Sequence, residues 1–309
     1  MRDFKATRKL MGSIFELIVA DDDQERAEHH LLMGIEEIMR LEQLLTEFAN
    51  SSDTSLVNKN AGIRPVKVSE ESYRLVQRCI NLSQLTQGSF DITVGPLKKL
   101  YNFKNGNSGF PNSLNLKTAL GLVGYEQINM LANTHLYLPK PLMQIGFSAI
   151  GKGFAADSVK RIWKEAGVES GVINASGDLT VLGNKYNGQP WEIGIADPEH
   201  PEKALCYLPL KDVSVATSGN YEQFFMKDGI RFGHTINPKT GLPVSGIKSV
   251  TIVGPSAELC DALATAIYVM GVEVGMHLIN QLPGTHCLII DARNIISKSA
   301  NLNLEYARD

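Results

Sequence analysis

The sequence predicts an α+β fold: a mostly antiparallel sheet core with helices gathered at both ends of the chain. Three observations carry that expectation. Short runs that alternate apolar and polar residues crowd 171–253, with turn signals at Ser176-Gly177-Asp178, Asp228-Gly229 and 238–241 between them. Apolar residues recur at helical spacing before that block and again after Pro255. No repeat of short period divides the 309 residues, and the Gly/Asn/Pro-rich stretch 101–113 looks like an exposed excursion rather than a linker, so 1–309 reads as a single domain.

The elements follow in order. Residues 13–20 (SIFELIVA) predict a strand, and Asp21 to Asp23 offer a helix N-cap with Glu25 in the first turn. Leu31, Ile35, Ile38, Leu41, Leu45 and Phe48 then recur at helical spacing. The polar stretch 49–68 reads as loop with short extended pieces. Ser69 caps a second helix around Leu75, Val76, Cys79 and Ile80 that ends near Gly88. A short helix is expected over 114–122, strands at LYLP (136–139) and MQIGF (143–147), and a helix over 154–166 stopped by Gly167. Eight short strands are expected next: VINAS, LTVLG, WEIGIA, LCYLPL, VSVAT, EQFFM, IRFGHTI and SVTIVG. The chain then turns helical through Met270 and again to Leu282, before a strand at HCLIID.

Composition narrows the function. The formal net charge is −3 and no long Lys/Arg run occurs, which argues against a nucleic-acid binder. Cys79, Cys206, Cys260 and Cys287 form no CxxC pair, so they are expected to be buried thiols of a reducing compartment. The apolar stretch 14–20 is interrupted by Glu16 and runs into three aspartates, unlike a signal peptide. Nothing approaches the ~20 apolar residues of a membrane span. The expectation is a cytoplasmic protein.

Three segments carry chemistry. In Ala149-Ile150-Gly151-Lys152-Gly153, glycines and a helix start offer free N–H groups beside a lysine, a combination that can hold a phosphate or diphosphate. His234 precedes the Pro/Gly turn 238–241 and is placed for a general base or a substrate contact. Asp261 and Thr265, at i and i+4, share one helix face and could ligate a hard cation such as Mg²⁺. On local sequence alone, a plain tight turn, a structural histidine and a self-solvating polar pair fit these segments as well.

Taken together, the segments resemble the ApbE family of FAD:protein FMN transferases, from Met11 to about Gly275. Met11-Gly12-Ser13, Thr46-Glu47-Phe48 with Asp53, Ser55 and Asn58, GSFDITVGPL (88–97), GFSAIGKGFAAD (146–157), INASGDL (173–179), ATSGNYEQFF (216–225), HTINPKTGLPV (234–244) and DALATAIYVMG (261–271) occur in the family's order. The resemblance implies an ApbE-like, T-fold-like domain with FAD in a deep cleft and Mg²⁺ at its diphosphate. It implies metal ligation by Asp261, Thr265 and the Ala149 carbonyl, and flavin-nucleotide contacts from Met11, Phe48, Ser89, Phe90, Asp91, Lys152 and His234. It further implies attack by a Thr or Ser hydroxyl of an acceptor protein on the FMN-side phosphorus. AMP leaves, with His234 as first candidate base and Asp261 as second. The acceptor would carry a motif of the type Asp-x-x-(Ser/Thr)-Gly-Ala-(Ser/Thr). Three positions depart from the family pattern: Gly146 stands for an Asp that contacts the nucleotide, Ser176 for the first Gly of a Gly-Gly-Asp turn, and Asn237 for the Asp of HxxDP. Two other readings use the same site: a Mg²⁺-dependent FAD pyrophosphatase releasing FMN and AMP, and a flavin-binding protein without turnover.

Overall fold

The structure is a computed structural model and describes residues 2–103, 109–219, 224–300, 302, 305 and 306. Its centre is an eight-stranded sheet in which every pairing is antiparallel. In chain order its strands are β1 (Arg2–Leu10), β2 (Ser13–Asp21), β3 (Gly171–Ala175), β4 (Asp178–Leu182), β5 (Ser214–Gly219), β6 (Ile247–Gly254), β7 (His286–Asp291) and β8 (Ile296–Lys298), and that is also their order across the sheet. The α+β class expected from the sequence is the class observed. Each sheet neighbour is thus the next sheet strand along the chain, so the intervening segments lie as excursions on the sheet.

The residues explain these elements. In β2 the side chains of Phe15, Leu17 and Val19 are buried, because one pleat face turns inward at every second residue. Gly171 lies where a Cβ would come within 2.7 Å of the Ile18 carbonyl oxygen and 2.9 Å of the Trp163 ring, so glycine lets β3 close on β2. Strands β3 and β4 form a hairpin whose two central residues, Ser176 (φ 58°) and Gly177 (φ 98°), both take positive φ, the geometry that matches strand twist. The Asn174 side chain braces that turn, its Oδ1 accepting the Gly177 N–H at 3.0 Å.

Helix α1 (Gln24–Leu45) is capped by Asp23, whose carboxylate accepts the Arg26 N–H, and buries Leu31, Ile35, Ile38 and Leu41. It packs directly on α2 (Gly151–Glu165), with Gly34 admitting Leu17, Val159 and Trp163. Helix α3 (Ala257–Met270), capped by Ser256, lies on β5 and β6 and beside α2. All four cysteines are buried and unbridged. Among the described residues no helix is long and apolar enough to cross a membrane.

Four expectations are corrected. Strand β1, which the N-terminal sequence pattern does not mark, is a mostly exposed edge strand, with charged Arg2, Lys5, Arg8 and Lys9 around a half-buried face of Phe4, Ala6 and Leu10. The stretch 49–68 holds a helix, Asp53–Lys59, because Ser52 caps it by accepting the Ser55 N–H and Thr54 and Val57 find buried positions. MQIGF is extended but joins no sheet. Ile145 N–H donates to Asn58 Oδ1 at 2.8 Å and Asn58 Nδ2 donates to Ile145 O at 2.9 Å, so a side-chain amide takes the place of a neighbouring strand. Gly146 N–H then donates to Ile92 O at 2.9 Å. Helix α1 ends at Leu45, and Phe48 is 89 % exposed beyond it, so its helical spacing does not mean burial. The other expected strands are present, that of EQFFM as Phe224–Lys227. Residues 220–223 of ATSGNYEQFF and 104–108 of the excursion lie outside the described residues.

Candidate active site

One cleft of about 950 Å³ opens where β1–β2, the end of α1, the start of α2, β5 and α3 come together. That volume is at the upper end of the ~300–1,000 Å³ typical of small-molecule sites. Every residue singled out from the sequence as a site residue stands on its wall: Met11, Phe48, Ser89, Phe90 and Asp91, then Ala149 and Lys152, then His234, Asp261 and Thr265. Residues from near both ends of the chain therefore share one space.

Met11 reaches the cleft from the β1–β2 turn. It takes φ 50° and Gly12 φ 76°, so the two strands reverse in two residues. The Met11 N–H donates to Glu42 Oε1 at 2.7 Å, which ties the turn to α1. Its methyl lies 3.5 Å from where a Cβ on Gly151 would stand, at the first residue of α2. Phe48, exposed on the loop after α1, offers a free ring face at the mouth. Together they give the cleft apolar surface of the kind that takes a flat ring system.

The segment 88–97 is held by its own aspartate. Asp91 Oδ1 accepts from the Thr93 N–H at 2.7 Å and the Thr93 hydroxyl at 2.6 Å, and Oδ2 accepts from the Tyr125 N–H at 2.9 Å. Burial, the largest influence, pushes Asp91 above the usual carboxylate range, and these donors oppose it. Asp91 thus fixes the loop in place. Phe90 is 1 % exposed and supports the wall from behind, while Ser89 stands beside it.

The polar end gathers around the start of α2. Lys152 forms an ion pair with Asp178, which follows the β3–β4 turn and is 2 % exposed. The Gly153 N–H points at Asp261 Oδ2, 3.3 Å away on α3. Asp261 is 5 % exposed. Burial, first, and the neighbouring Asp178 carboxylate, second, push it up to about 7, while Lys152, the Gly153 N–H and Lys98 pull it back. One turn on, Thr265 Oγ1 lies 3.3 Å from Ser218 Oγ at the end of β5. Asp157 locks the two helices together: its carboxylate accepts the N–H groups of Ala257 at 2.9 Å and Glu258 at 2.8 Å, at the start of α3.

His234 follows the strand Ile230–Gly233 and precedes a turn built by Asn237. Asn237 Oδ1 accepts from Lys239 N–H at 2.9 Å and Thr240 N–H at 3.3 Å, and its carbonyl accepts from Gly241 N–H at 2.8 Å. An amide oxygen accepts these bonds as a carboxylate would, so the departure at Asn237 keeps the turn that presents His234. The departure at Gly146 leaves space that another residue faces: both Glu47 carboxylate oxygens lie 3.8 Å from the position a Cβ would take there. The departure at Ser176 keeps the hairpin turn described above.

Sequence reasoning missed Lys98, Glu47, Asp178 and Ser218 as cleft residues. Asp178 and Ser218 stood inside quoted motifs, so their chemistry was readable there. Glu47 likewise stood inside the quoted Thr46-Glu47-Phe48; Lys98 lies just past the quoted 88–97 segment, and only folding brings it to the cleft.

Among the described residues no three His, Cys, Asp or Glu side chains converge as a metal cage. Asp261 and Thr265, one turn apart on α3, and Ala149 all line the cleft, and they carry hard oxygen donors. This set suits a cation that completes its shell with substrate phosphate oxygens and water.

Comparison with known proteins places the chain in a family. The model of the ApbE family matches residues 11–289. A protein of Treponema pallidum named FAD:protein FMN transferase is 29 % identical, the match covering 98 % of this chain and 88 % of the relative. One of Vibrio cholerae with the same name is 31 % identical over 77 % of this chain and 73 % of its own. The crystal structure of the ApbE protein of Thermotoga maritima superposes with a TM-score of 0.89 at 29 % identity, covering 97 % of each chain. The chain belongs to the ApbE family and is a transferase enzyme.

Proposed function

We propose that this enzyme moves the FMN half of FAD onto a Thr or Ser hydroxyl of an acceptor protein, with Mg²⁺ at the diphosphate and AMP as the leaving group. The observation that carries the reading is the joining, in one cleft of about 950 Å³, of apolar surface at Met11 and Phe48 with the oxygen donors Asp261 and Thr265 and with His234. Asp261, Thr265 and the Ala149 carbonyl would hold the cation. Bound there, Mg²⁺ offsets charge that develops on the diphosphate oxygens. Lys152, at the start of α2, would offer its positive charge to the same anion. Met11 and Phe48 would offer apolar surface to the isoalloxazine ring.

The acceptor hydroxyl attacks the FMN-side phosphorus in line, and its oxygen forms the new phosphoester. The bond from that phosphorus to the bridging oxygen breaks, and AMP carries that oxygen away. His234 accepts the hydroxyl proton, a task suited to an imidazole near neutral pH. An acceptor with an Asp-x-x-(Ser/Thr)-Gly-Ala-(Ser/Thr) type motif fits this role.

The test is direct. Purified protein, FAD and Mg²⁺ are incubated with an acceptor fragment bearing the motif, and the fragment is weighed by mass spectrometry. A gain of one FMN less one water, lost when EDTA is added, is the expected result. Free FMN and AMP with an unchanged acceptor would replace transfer by hydrolysis. Replacing His234 by Ala is expected to slow single-turnover transfer by about a hundredfold while FAD affinity holds. A loss confined to affinity would make His234 a binding residue.

A further inference from the structure

Lys98 closes the short helix Gly95–Lys98 and reaches the cleft wall beside the loop that starts α2. Its Nζ donates to Ser148 Oγ at 2.6 Å, which fixes the ammonium one residue before Ala149. Among the described residues this hydrogen bond goes to a neutral hydroxyl, and no carboxylate stands within ion-pair distance. The surroundings desolvate the ammonium, and the Glu47 and Asp261 carboxylates act on it from further off. An ammonium has three N–H donors and the bond to Ser148 uses one. A half-buried cation held by a neutral partner at a cleft wall gains from an anionic ligand. Lys152, on the other side of Ala149 along the chain, is paired with Asp178.

We propose that Lys98 is a second cationic anchor for the diphosphate of a flavin dinucleotide, holding it from the Ser148 side of the loop while Lys152 holds it from the helix side. This rests on the flavin-transfer reading above. It makes Lys98 a specificity residue: it favours flavins that carry phosphate over riboflavin, which shares the ring and lacks the charge.

Binding of FAD and of riboflavin is measured by quenching of flavin fluorescence, for wild type, Lys98→Gln and Lys98→Arg. Lys98→Gln is expected to weaken FAD by about tenfold or more, as loss of a charge-assisted hydrogen bond does, and to leave riboflavin unchanged. Lys98→Arg keeps the charge and is expected to recover most of the FAD affinity. Unchanged riboflavin binding also shows that the variant cleft is folded. FAD affinity equal in wild type and Lys98→Gln overturns the anchor and leaves the transfer reading standing. Equal weakening of both flavins also overturns it, because Lys98 would then shape the cleft rather than hold phosphate. A wild-type protein that binds neither flavin overturns the flavin reading itself, and the anchor with it.

Discussion

Asp261→Ala is expected to lower metal-dependent turnover by on the order of a thousandfold, the scale lost when a group that offsets transition-state charge is removed. Asp261 supplies the carboxylate among the donors grouped with Thr265 and the Ala149 carbonyl on the cleft wall. The isosteric Asp261→Asn, which keeps an acceptor for the Gly153 N–H, is expected to stabilise the metal-free protein at neutral to alkaline pH. The sign follows from the shift. Burial and Asp178 raise Asp261 from 3.8 to about 7 in the folded chain. The folded state therefore prefers the protonated acid. Its contribution to stability is whole below about pH 4 and is lost as pH rises through about 7, above which both states are ionised. Thermal melting of metal-free wild type and Asp261→Asn from pH 4 to 8 would show the curves diverging as pH rises. Parallel curves across that range would mean that Asp261 is not a buried acid, and wild-type turnover in Asp261→Ala would remove it from the metal site.

Gly153→Ala is expected to destabilise the fold by about 3 kcal/mol or more, the range for forcing atoms into a filled core. The added Cβ would stand 2.2 Å from the Ala257 carbonyl oxygen and 2.8 Å from the Glu258 nitrogen. Both are backbone atoms at the start of α3, where Asp157 holds the N–H groups of the same two residues. No rotamer change relieves that clash, so α2 and α3 must move apart. That movement would also carry Asp261 away from the Gly153 N–H and Lys152, so turnover should fall with stability. Chemical denaturation would read the change. A midpoint within error of wild type would mean that the two helices are not in close contact at this crossing.

Much of the fold was legible because alternation marks strands buried on one face. Phe15, Leu17 and Val19 in β2 and the run LCYLPL show that pattern, whereas the central strands β3, β4 and β6 are buried on both faces and were marked by short apolar runs between turns. Strand β1 escaped because its apolar positions, Phe4, Ala6 and Leu10, are few and set among charged residues on an exposed edge, so the alternation is faint. The helix Asp53–Lys59 is too short for its periodicity to stand out from a polar stretch. MQIGF has the alternation of a strand, with Met143, Ile145 and Phe147 buried. Yet its backbone partner is the Asn58 side chain, 87 residues away in the chain.

By itself the sequence determined the α+β class and the motif residues that line the cleft. It also determined that Asp261 and Thr265 share a helix face, because helical period, turn chemistry and i, i+4 spacing are local properties. The turns in which the Asp91 and Asn237 side chains accept N–H groups two residues on are local as well. Tertiary structure alone decided that Asp91 also holds the Tyr125 N–H. It also decided that Glu47 faces the space at Gly146 and that Lys98 stands against Ser148 at the phosphate end. The physical reason is distance along the chain. These contacts join residues that no short-range pattern couples, and they exist only once burial of the core has brought the segments together.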